Sequence, residues 1–332
     1  MLKIIGAFLL TFLIGVLLAP IVIKLAKKVG AKQEILQYVV AHKSKQGTPT
    51  MGGIIFVLPA ILVCALLYDG QATVMFVALG VFFFYALLGF LDDFIKVHTH
   101  KNLGLRAYQK VIGEVGIASI IGFYMYYASP IGSNIFIPFF GNIDIGIWII
   151  PFVIFVFLAM TNAANLTDGL DGLAGSTSFV MLIALTAILL ITGNLVIADG
   201  QSLGLAKEMD NLAMLGSAVA GGVLAFLCFN SYPAKIFMGD TGSLALGGVI
   251  CSLAVFSGWT LLLPLVCVVF LMSAVSVIIQ VLYYKKTKKR VFLMSPLHHH
   301  FQEKGVAEPK IVAIYTIITI ICCILAIVLC IV

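Results

Sequence analysis

Apolar runs about as long as a membrane is thick follow one another along the whole sequence. These runs restrict the chain to a few possible folds. A membrane-spanning helix needs about 20 consecutive apolar residues. The runs do not alternate between apolar and polar residues, which argues against a membrane β-barrel. The sequence therefore predicts an all-α polytopic integral membrane protein with about ten transmembrane helices. We place them at residues 3–23, 51–68, 72–91, 111–128, 146–161, 175–192, 211–229, 244–257, 260–284 and 311–331.

The composition excludes the other broad classes of protein. Of the 332 residues, 62% are hydrophobic and 10% are charged, whereas a soluble globular chain is about half apolar and about a quarter charged. A soluble enzyme would lack the polar residues to cover its surface, and a disordered chain would be far less apolar. The seven cysteines lie in apolar runs without a CxxC pair, so we expect no disulfide framework or thiolate metal site. With no internal repeat or long linker, we expect residues 1–332 to form one domain.

The basic residues predict the orientation in the membrane. Of the 20 Lys and Arg residues, all except Lys3 and Lys207 fall in alternate loops, which share one side. These loops are 24–50, 92–110, 162–174, 230–243 and 285–310. The positive-inside rule places them in the cytoplasm and both termini outside. The net charge of +6 is thus a topology signal, and no soluble domain is left for a nucleic-acid partner.

On the opposite side, the loop 129–145 holds Pro130, Pro138 and the turn pair Gly141-Asn142. Its apolar residues predict a small hairpin lying at the membrane interface.

Five aspartates collect at the cytoplasmic ends of the predicted spans. They are Asp92, Asp93, Asp168, Asp171 and Asp240. Charge at a bilayer is costly and is usually retained for function. Adjacent residues on a helix diverge by about 100°, so the first two aspartates should take different roles, one at a metal and one at a substrate or proton.

The motifs around these acids supply further polar groups. Asn162, Asn165 and Asp168 recur every three residues, which would place them on one face. Phe237, in the run before Asp240, could stack on a planar base or simply be an interfacial aromatic.

Three consecutive histidines, His298, His299 and His300, lie in the last cytoplasmic loop. Contiguous residues cannot easily point three ligands at one tetrahedral zinc, so we interpret them as phosphate donors. The basic run Lys285–Arg290 beside them is typical of a topology anchor and could also attract anionic lipid.

Carboxylate and amide oxygens without thiolates favour Mg²⁺ or Mn²⁺. Lysines and histidines add donors for phosphate oxygens. Such a cluster at the membrane surface indicates phosphoryl chemistry between a soluble nucleotide and a lipid.

Six motifs carry a resemblance to a known family, and they extend from the first cytoplasmic loop to the last. They are residues 42–53, 92–96, 102–105 with 109–110, 165–172, 237–243 and 296–301. Together they resemble the polyprenyl-phosphate N-acetylhexosamine-1-phosphate transferases, and within them the bacterial cell-wall branch, which the Pro-Leu-His-His-His-Phe run distinguishes from its siblings. The sequence departs from the family pattern at 35–40, where an Arg and a Gly-Pro pair are usual, and at Gln302, where a Glu is usual.

The resemblance implies a reaction and a location. In the bacterial cytoplasmic membrane, undecaprenyl phosphate would displace UMP from UDP-N-acetylmuramoyl-pentapeptide and form lipid I, with Mg²⁺ as the cofactor. Direct attack by the lipid phosphate and a phospho-enzyme formed on an aspartate both stay open, and we favour direct attack because phosphate is already anionic.

The resemblance also implies site residues. Asp240 would bind Mg²⁺, Asp92 would deprotonate or orient the lipid phosphate, and Asp93 would complete the catalytic set. The substrate contacts would come from Lys45, Lys96, Lys110, Asn165, Asp168, Asp171, Asn230, Phe237, Gln280, His298, His299 and His300.

Three other functions fit the sequence less well. A sibling enzyme that uses UDP-N-acetylglucosamine would differ only in substrate, and the histidine run argues against it. A transporter would place its charges near the bilayer midplane, and a scaffold would not need five facing acids. Long apolar spans such as 311–331 also offer faces on which two copies could pair as a homodimer.

Overall fold

A computed structural model describes residues 1–31, 47–99, 104–198 and 202–331. Within these ranges the chain forms twelve α-helices and one two-stranded hairpin. In chain order the elements are α1 (Leu2–Val29), α2 (Ile54–Leu67), α3 (Thr73–Thr99), α4 (Ala107–Tyr127), β1 (Asn134–Ile137), β2 (Gly141–Asp144), α5 (Ile149–Thr167), α6 (Leu173–Ala198), α7 (Leu203–Asn230), α8 (Gly239–Phe256), α9 (Leu263–Val266), α10 (Val268–Thr287), α11 (Leu297–Glu303) and α12 (Glu308–Ile331).

Eight helices of the described chain are long and apolar enough to cross a membrane, which confirms the all-α polytopic class. They are α1, α3, α5, α6, α7, α8, α10 and α12. The other two predicted spans correspond to α2, with 14 residues, and to α4, which carries Lys110 and Glu114. The count of ten spans and the external termini stay predictions.

Several helices continue past the predicted ends of the apolar runs. The third span was expected to end at 91, yet α3 continues to Thr99, so Asp92 and Asp93 lie on helix rather than in a loop. Hydropathy marks where apolar residues stop, whereas a helix stops where its backbone groups find other partners. The predicted span 260–284 is instead broken: a 3₁₀ turn and α9, with Pro264 in its first turn, precede α10.

The predicted hairpin is present. β1 pairs antiparallel with β2 from Asn134 opposite Asp144 to Ile137 opposite Gly141. The turn lies at Pro138–Phe140, one step before the expected Gly141-Asn142 pair, since Gly141 already belongs to β2.

The helices α7 and α8 lie at the centre of the bundle, and small residues let their neighbours approach closely. A Cβ on Gly15 of α1 would lie 2.8 Å from the Ala225 Cβ of α7, and one on Gly221 would overlap the Phe8 backbone. Inside a bilayer such close packing drives helix association, because lipid removes most of the hydrophobic driving force. These contacts hold α1, α7 and their neighbours in a fixed arrangement.

Distant side chains cap several helix starts. Glu208 of α7 accepts hydrogen bonds from the Thr73 and Val74 amides at the start of α3, at 2.9 and 3.0 Å. At the start of α6, the Asp171 amide donates to Glu308 at 2.6 Å. The first amides of a helix lack partners within it, and low-dielectric surroundings make that costly. These caps therefore determine which helix ends lie together.

Candidate active site

Three carboxylates meet where α3 faces the first turn of α8. Oxygens of Asp92, Asp93 and Asp240 all lie within 4.8 Å of one another. The first two side chains are buried and that of Asp240 is half-buried. Close approach of the helices depends on Gly89, because a Cβ there would lie 2.6 Å from the Thr241 nitrogen and overlap the Asp240 carbonyl. The structure thus brings together the acids from two motifs nearly 150 residues apart.

The Asp93 carboxylate caps the start of α8. It accepts hydrogen bonds from the Asp240 amide at 3.1 Å, the Thr241 amide at 2.9 Å and the Thr241 hydroxyl at 2.7 Å. A negative charge at a helix N-terminus is also favoured by the helix dipole. Asp93 therefore sets the position of the backbone that carries Asp240.

The neighbouring Asp92 has different partners, as the helical geometry predicts. Its Oδ1 accepts from the Leu105 amide at 2.7 Å, and its Oδ2 pairs with Lys96 Nζ at 2.5 Å. Gly104 lies directly against the carboxylate, so that any side chain there would overlap Asp92. The loop before α4 and the lysine one turn along α3 thus hold this carboxylate in place.

The Asp240 carboxylate is surrounded by donors. Its Oδ2 lies 3.2 Å from Lys96 Nζ and 3.1 Å from Lys110 Nζ. Its Oδ1 accepts from Asn165 Nδ2 at 2.9 Å, and the same amide also donates to Ser243. Three of the predicted substrate-binding side chains therefore converge on one predicted metal ligand.

The all-oxygen character of this cluster suits a hard divalent cation. Carboxylate and amide oxygens are the donors that Mg²⁺ accepts, and no thiolate contributes a ligand within the described chain. Two ammonium groups face three carboxylates, so a cation would be attracted to the remaining negative charge. The buried Asp cluster could therefore bind a metal.

Asp168 follows α5 and is half-buried beside the cluster. Burial, then the carboxylates of Asp240, Asp93 and Asp171, raise its pKa to about 8. Each effect disfavours the charged form, and a cation nearby would act in the opposite direction. Burial and the neighbouring negative charges thus together favour the protonated form of Asp168.

Asp171 and Asn230 are buried and brace the loops around the site. The Ala234 amide donates to Asp171 Oδ2 at 3.0 Å. The Gly172 amide donates to Asn230 Oδ1 at 3.0 Å, and Asn230 Nδ2 donates to the Ile236 carbonyl at 2.8 Å. Their expected contact with substrate stays a prediction, since both side chains bind the protein's own backbone.

Residues 49–53, just before α2, pack against the start of α8. The Phe237 amide donates to the Pro49 carbonyl and the Gly52 amide to the Phe237 carbonyl, both at 2.8 Å. Gly53 lies against the Gly242 backbone with no room for a Cβ. Phe237 itself is half-buried. The predicted phosphate-binding Lys45 lies outside the described residues.

The histidine run forms α11 and contacts the loop that carries Asp168. A Cβ on Gly169 would lie 2.8 Å from His299 Nε2 and would overlap His298. His300 faces the other way, and its Nδ1 accepts from the Leu293 amide at 3.1 Å. Two of the three histidines thus border the acidic site.

Gln280 of α10 supports the segment before the histidine run. Its Oε1 accepts from the amides of Val291 and Phe292, at 3.1 and 2.9 Å. A substrate contact for this side chain stays a prediction.

Sequence reasoning did not select three residues that the structure places at the site. The Thr241 hydroxyl donates to Asp93, and the Ser243 hydroxyl donates to the Gly239 carbonyl. Glu114 accepts a hydrogen bond from Asn162 Nδ2 at 2.6 Å. The one available signal was a glutamate four residues after Lys110 within an otherwise apolar run. Thr241 and Ser243 lie in the motif 237–243, which marked the segment but gave these two hydroxyls no assigned role.

Comparison with known proteins supports a family assignment. Residues 75–258 match the model described as Glycosyl transferase family 4. Residues 45–57 match Phospho-N-acetylmuramoyl-pentapeptide-transferase signature 1, which contains the Gly52-Gly53 pair under α8.

Relatives with the name phospho-N-acetylmuramoyl-pentapeptide-transferase match nearly end to end. That of Clostridium novyi (strain NT) is 41% identical over 319 residues, 96% of this chain and 94% of the relative. That of Clostridium kluyveri (strain ATCC 8527) is 40% identical over 97% of this chain and 98% of the relative. That of Clostridioides difficile (strain 630) is 41% identical over 94% of this chain and 93% of the relative. With its multi-pass bundle and acid cluster, the chain belongs to the phospho-N-acetylmuramoyl-pentapeptide-transferase family of bacterial membrane phosphoglycosyl transferases.

Proposed function

We propose that this protein transfers phospho-N-acetylmuramoyl-pentapeptide from UDP-N-acetylmuramoyl-pentapeptide to undecaprenyl phosphate, giving lipid I and UMP. A lipid phosphate oxygen bonds to the phosphorus next to the sugar, and the bond from that phosphorus to UMP breaks. The observation that carries the proposal is the convergence of Lys96, Lys110 and Asn165 on Asp240 beside Asp92 and Asp93.

The charges of this cluster suit a reaction between two anions. Positioning and electrostatic stabilisation account for most of the catalysis of phosphoryl transfer. Lys96 and Lys110 each lie within 3.2 Å of Asp240 Oδ2, so both ammonium groups could donate to phosphate oxygens bound beside Asp240. These lysines can exchange a carboxylate partner for a phosphate partner without moving far.

We assign Mg²⁺ to Asp240, with Asp92 the nearest further carboxylate. When bound, the ion supplies positive charge against the phosphate oxygens. Asp93 is a poorer candidate ligand because both of its oxygens cap α8.

Asp92 is the residue we assign to the lipid phosphate. Its position is held by the Leu105 amide and Lys96, so it can accept a proton or orient the attacking oxygen. We favour direct attack, since an attacking aspartate would first have to leave these partners.

The histidine run supports the choice of sugar substrate. His298 and His299 lie against the loop that holds Asp168, so the run forms one wall of the acidic site. We assign it to the phosphate or the sugar-peptide portion of the donor, which a sibling enzyme with UDP-N-acetylglucosamine would not require.

The test uses purified protein in detergent with undecaprenyl phosphate and Mg²⁺. One reaction contains UDP-N-acetylmuramoyl-pentapeptide, a second contains UDP-N-acetylglucosamine, and a third adds EDTA to the first. We expect UMP and a lipid product in the first reaction alone. UMP in the second reaction alone would support the transferase reaction but show that the donor is UDP-N-acetylglucosamine. No UMP in either, from protein shown to be folded, would refute the transferase proposal.

A further inference from the structure

Beneath the acid cluster lies a buried carboxylate that the proposed chemistry does not use. Glu114 is fully buried in α4, where Asn162 Nδ2 of α5 donates to its Oε2 at 2.6 Å. Its other oxygen, Oε1, is buried and has no hydrogen-bond partner among the described residues. The Tyr85 hydroxyl of α3 also donates to the Glu114 carbonyl at 3.3 Å, so α4 is held to a neighbouring helix at this point.

The position of Glu114 relates it to Lys110 and Asp240. Lys110 is four residues earlier on α4, which places both side chains on one helix face. The Lys110 ammonium in turn lies 3.1 Å from Asp240 Oδ2. The glutamate therefore lies one helical turn behind a lysine that binds the predicted metal ligand.

A carboxylate is an expensive choice if its only task is to hold Asn162. A glutamine would accept the same hydrogen bond without a buried charge, and leaving a buried oxygen without a partner costs stability. The open oxygen is therefore free to accept a partner in another state of the protein.

A cation at Asp240 would create such a state. The Asp240 Oδ2 atom is occupied by both Lys96 and Lys110. Lys96 already contacts a second carboxylate, that of Asp92. For Lys110 the second carboxylate on its own helix face is Glu114.

We propose that Glu114 is a positioning residue that receives the Lys110 ammonium when Asp240 binds a divalent cation. The inference rests on the proposed function, because it needs the cation at Asp240. Glu114 would keep Lys110 close to the site and ready to contact phosphate.

The test measures Mn²⁺ binding by electron paramagnetic resonance in detergent, without substrate. Glu114→Gln keeps the bond to Asn162 but cannot hold an ammonium by charge. We expect it to weaken Mn²⁺ binding about tenfold, equivalent to about 1.4 kcal/mol. The matched control is Glu208→Gln. It replaces a buried glutamate of α7 that caps the start of α3, and it should bind Mn²⁺ as the wild type does.

A double-mutant cycle separates this role from a structural one. If Glu114 acts through Lys110, Glu114→Gln should have no further effect in a Lys110→Met background. An equal loss in both backgrounds, or unchanged Mn²⁺ binding by Glu114→Gln, would overturn the inference. Should Glu114→Gln alone fail to fold, a further loss of Mn²⁺ binding in the double variant relative to Lys110→Met would still overturn the inference. Absence of Mn²⁺ binding by the wild type would instead refute the cation in the proposed function.

Discussion

The cap that Asp93 places on α8 yields a quantitative prediction. Asp93→Asn retains one acceptor oxygen and replaces the other with an amide group that faces donors. Of the three hydrogen bonds, one or two are lost, including one from a helix amide. Hydrogen bonds to charged groups contribute about 1.5–3 kcal/mol each, and losing a helix cap costs about 0.5–2 kcal/mol. We expect the free energy of unfolding to fall by about 2–3 kcal/mol.

The same change should lower activity by more than the loss of stability explains. The cap positions the backbone of Asp240, and small displacements of a reacting group can cost about 100-fold in rate. The assay compares UMP release with thermal unfolding in detergent. Thr241→Val, which removes only the hydroxyl donor, should show a smaller loss in both measurements.

The control for Asp93 is a cap of the same kind far from the site. Glu208→Gln weakens two hydrogen bonds at the start of α3, and we expect a similar loss of stability with normal turnover by folded protein. If Asp93→Asn kept wild-type turnover, or if Glu208→Gln lost as much activity, the argument from the α8 cap would be refuted.

Four further predictions follow from the same geometry. Asp240→Asn should abolish turnover through weakened Mg²⁺ binding, and near-normal activity at ordinary Mg²⁺ would remove Asp240 from the site. EDTA should stop UMP release and added Mg²⁺ should restore it; activity in EDTA would contradict a metal requirement. Gly104→Ala would push against Asp92, so we expect kcat to fall at least tenfold with little change in unfolding temperature, whereas unchanged kcat would show that Asp92 tolerates displacement. A Cβ in Gly53→Ala would meet the Gly242 backbone, and overpacking of this kind costs about 1–3 kcal/mol. Stability equal to the wild type in thermal unfolding would show that residues 49–53 are not packed against α8 as described.

Much of the fold could be predicted from the sequence, because the bilayer accepts few structures. Apolar runs long enough to cross it must be helical, since every backbone group needs a partner within its own segment. The same reasoning found the acids, as charges at the ends of apolar runs are rarely incidental. It also found the hairpin, although not the residues of its turn.

Other features were decided by tertiary contacts that no local pattern specifies. Helix geometry predicts different roles for Asp92 and Asp93, and the i,i+4 spacing places Lys96 beside Asp92. Only the packing of α8 against α3 makes Asp93 the cap of α8. Asp171, Asn230 and Gln280 stay predicted substrate contacts, and only the structure shows that each also accepts a hydrogen bond from a backbone amide.

The apolar pattern by itself determined the class of this protein, because the cost of exposing polar backbone to lipid acts on every segment separately. The roles of individual polar side chains were decided only by the tertiary structure. A hydrogen bond depends on which atoms come within about 3 Å, and that distance is set by glycines and caps at helix crossings far apart in the chain. Gly89, which lets α8 reach α3, illustrates this dependence: its significance lies wholly in the Asp240 backbone that it contacts.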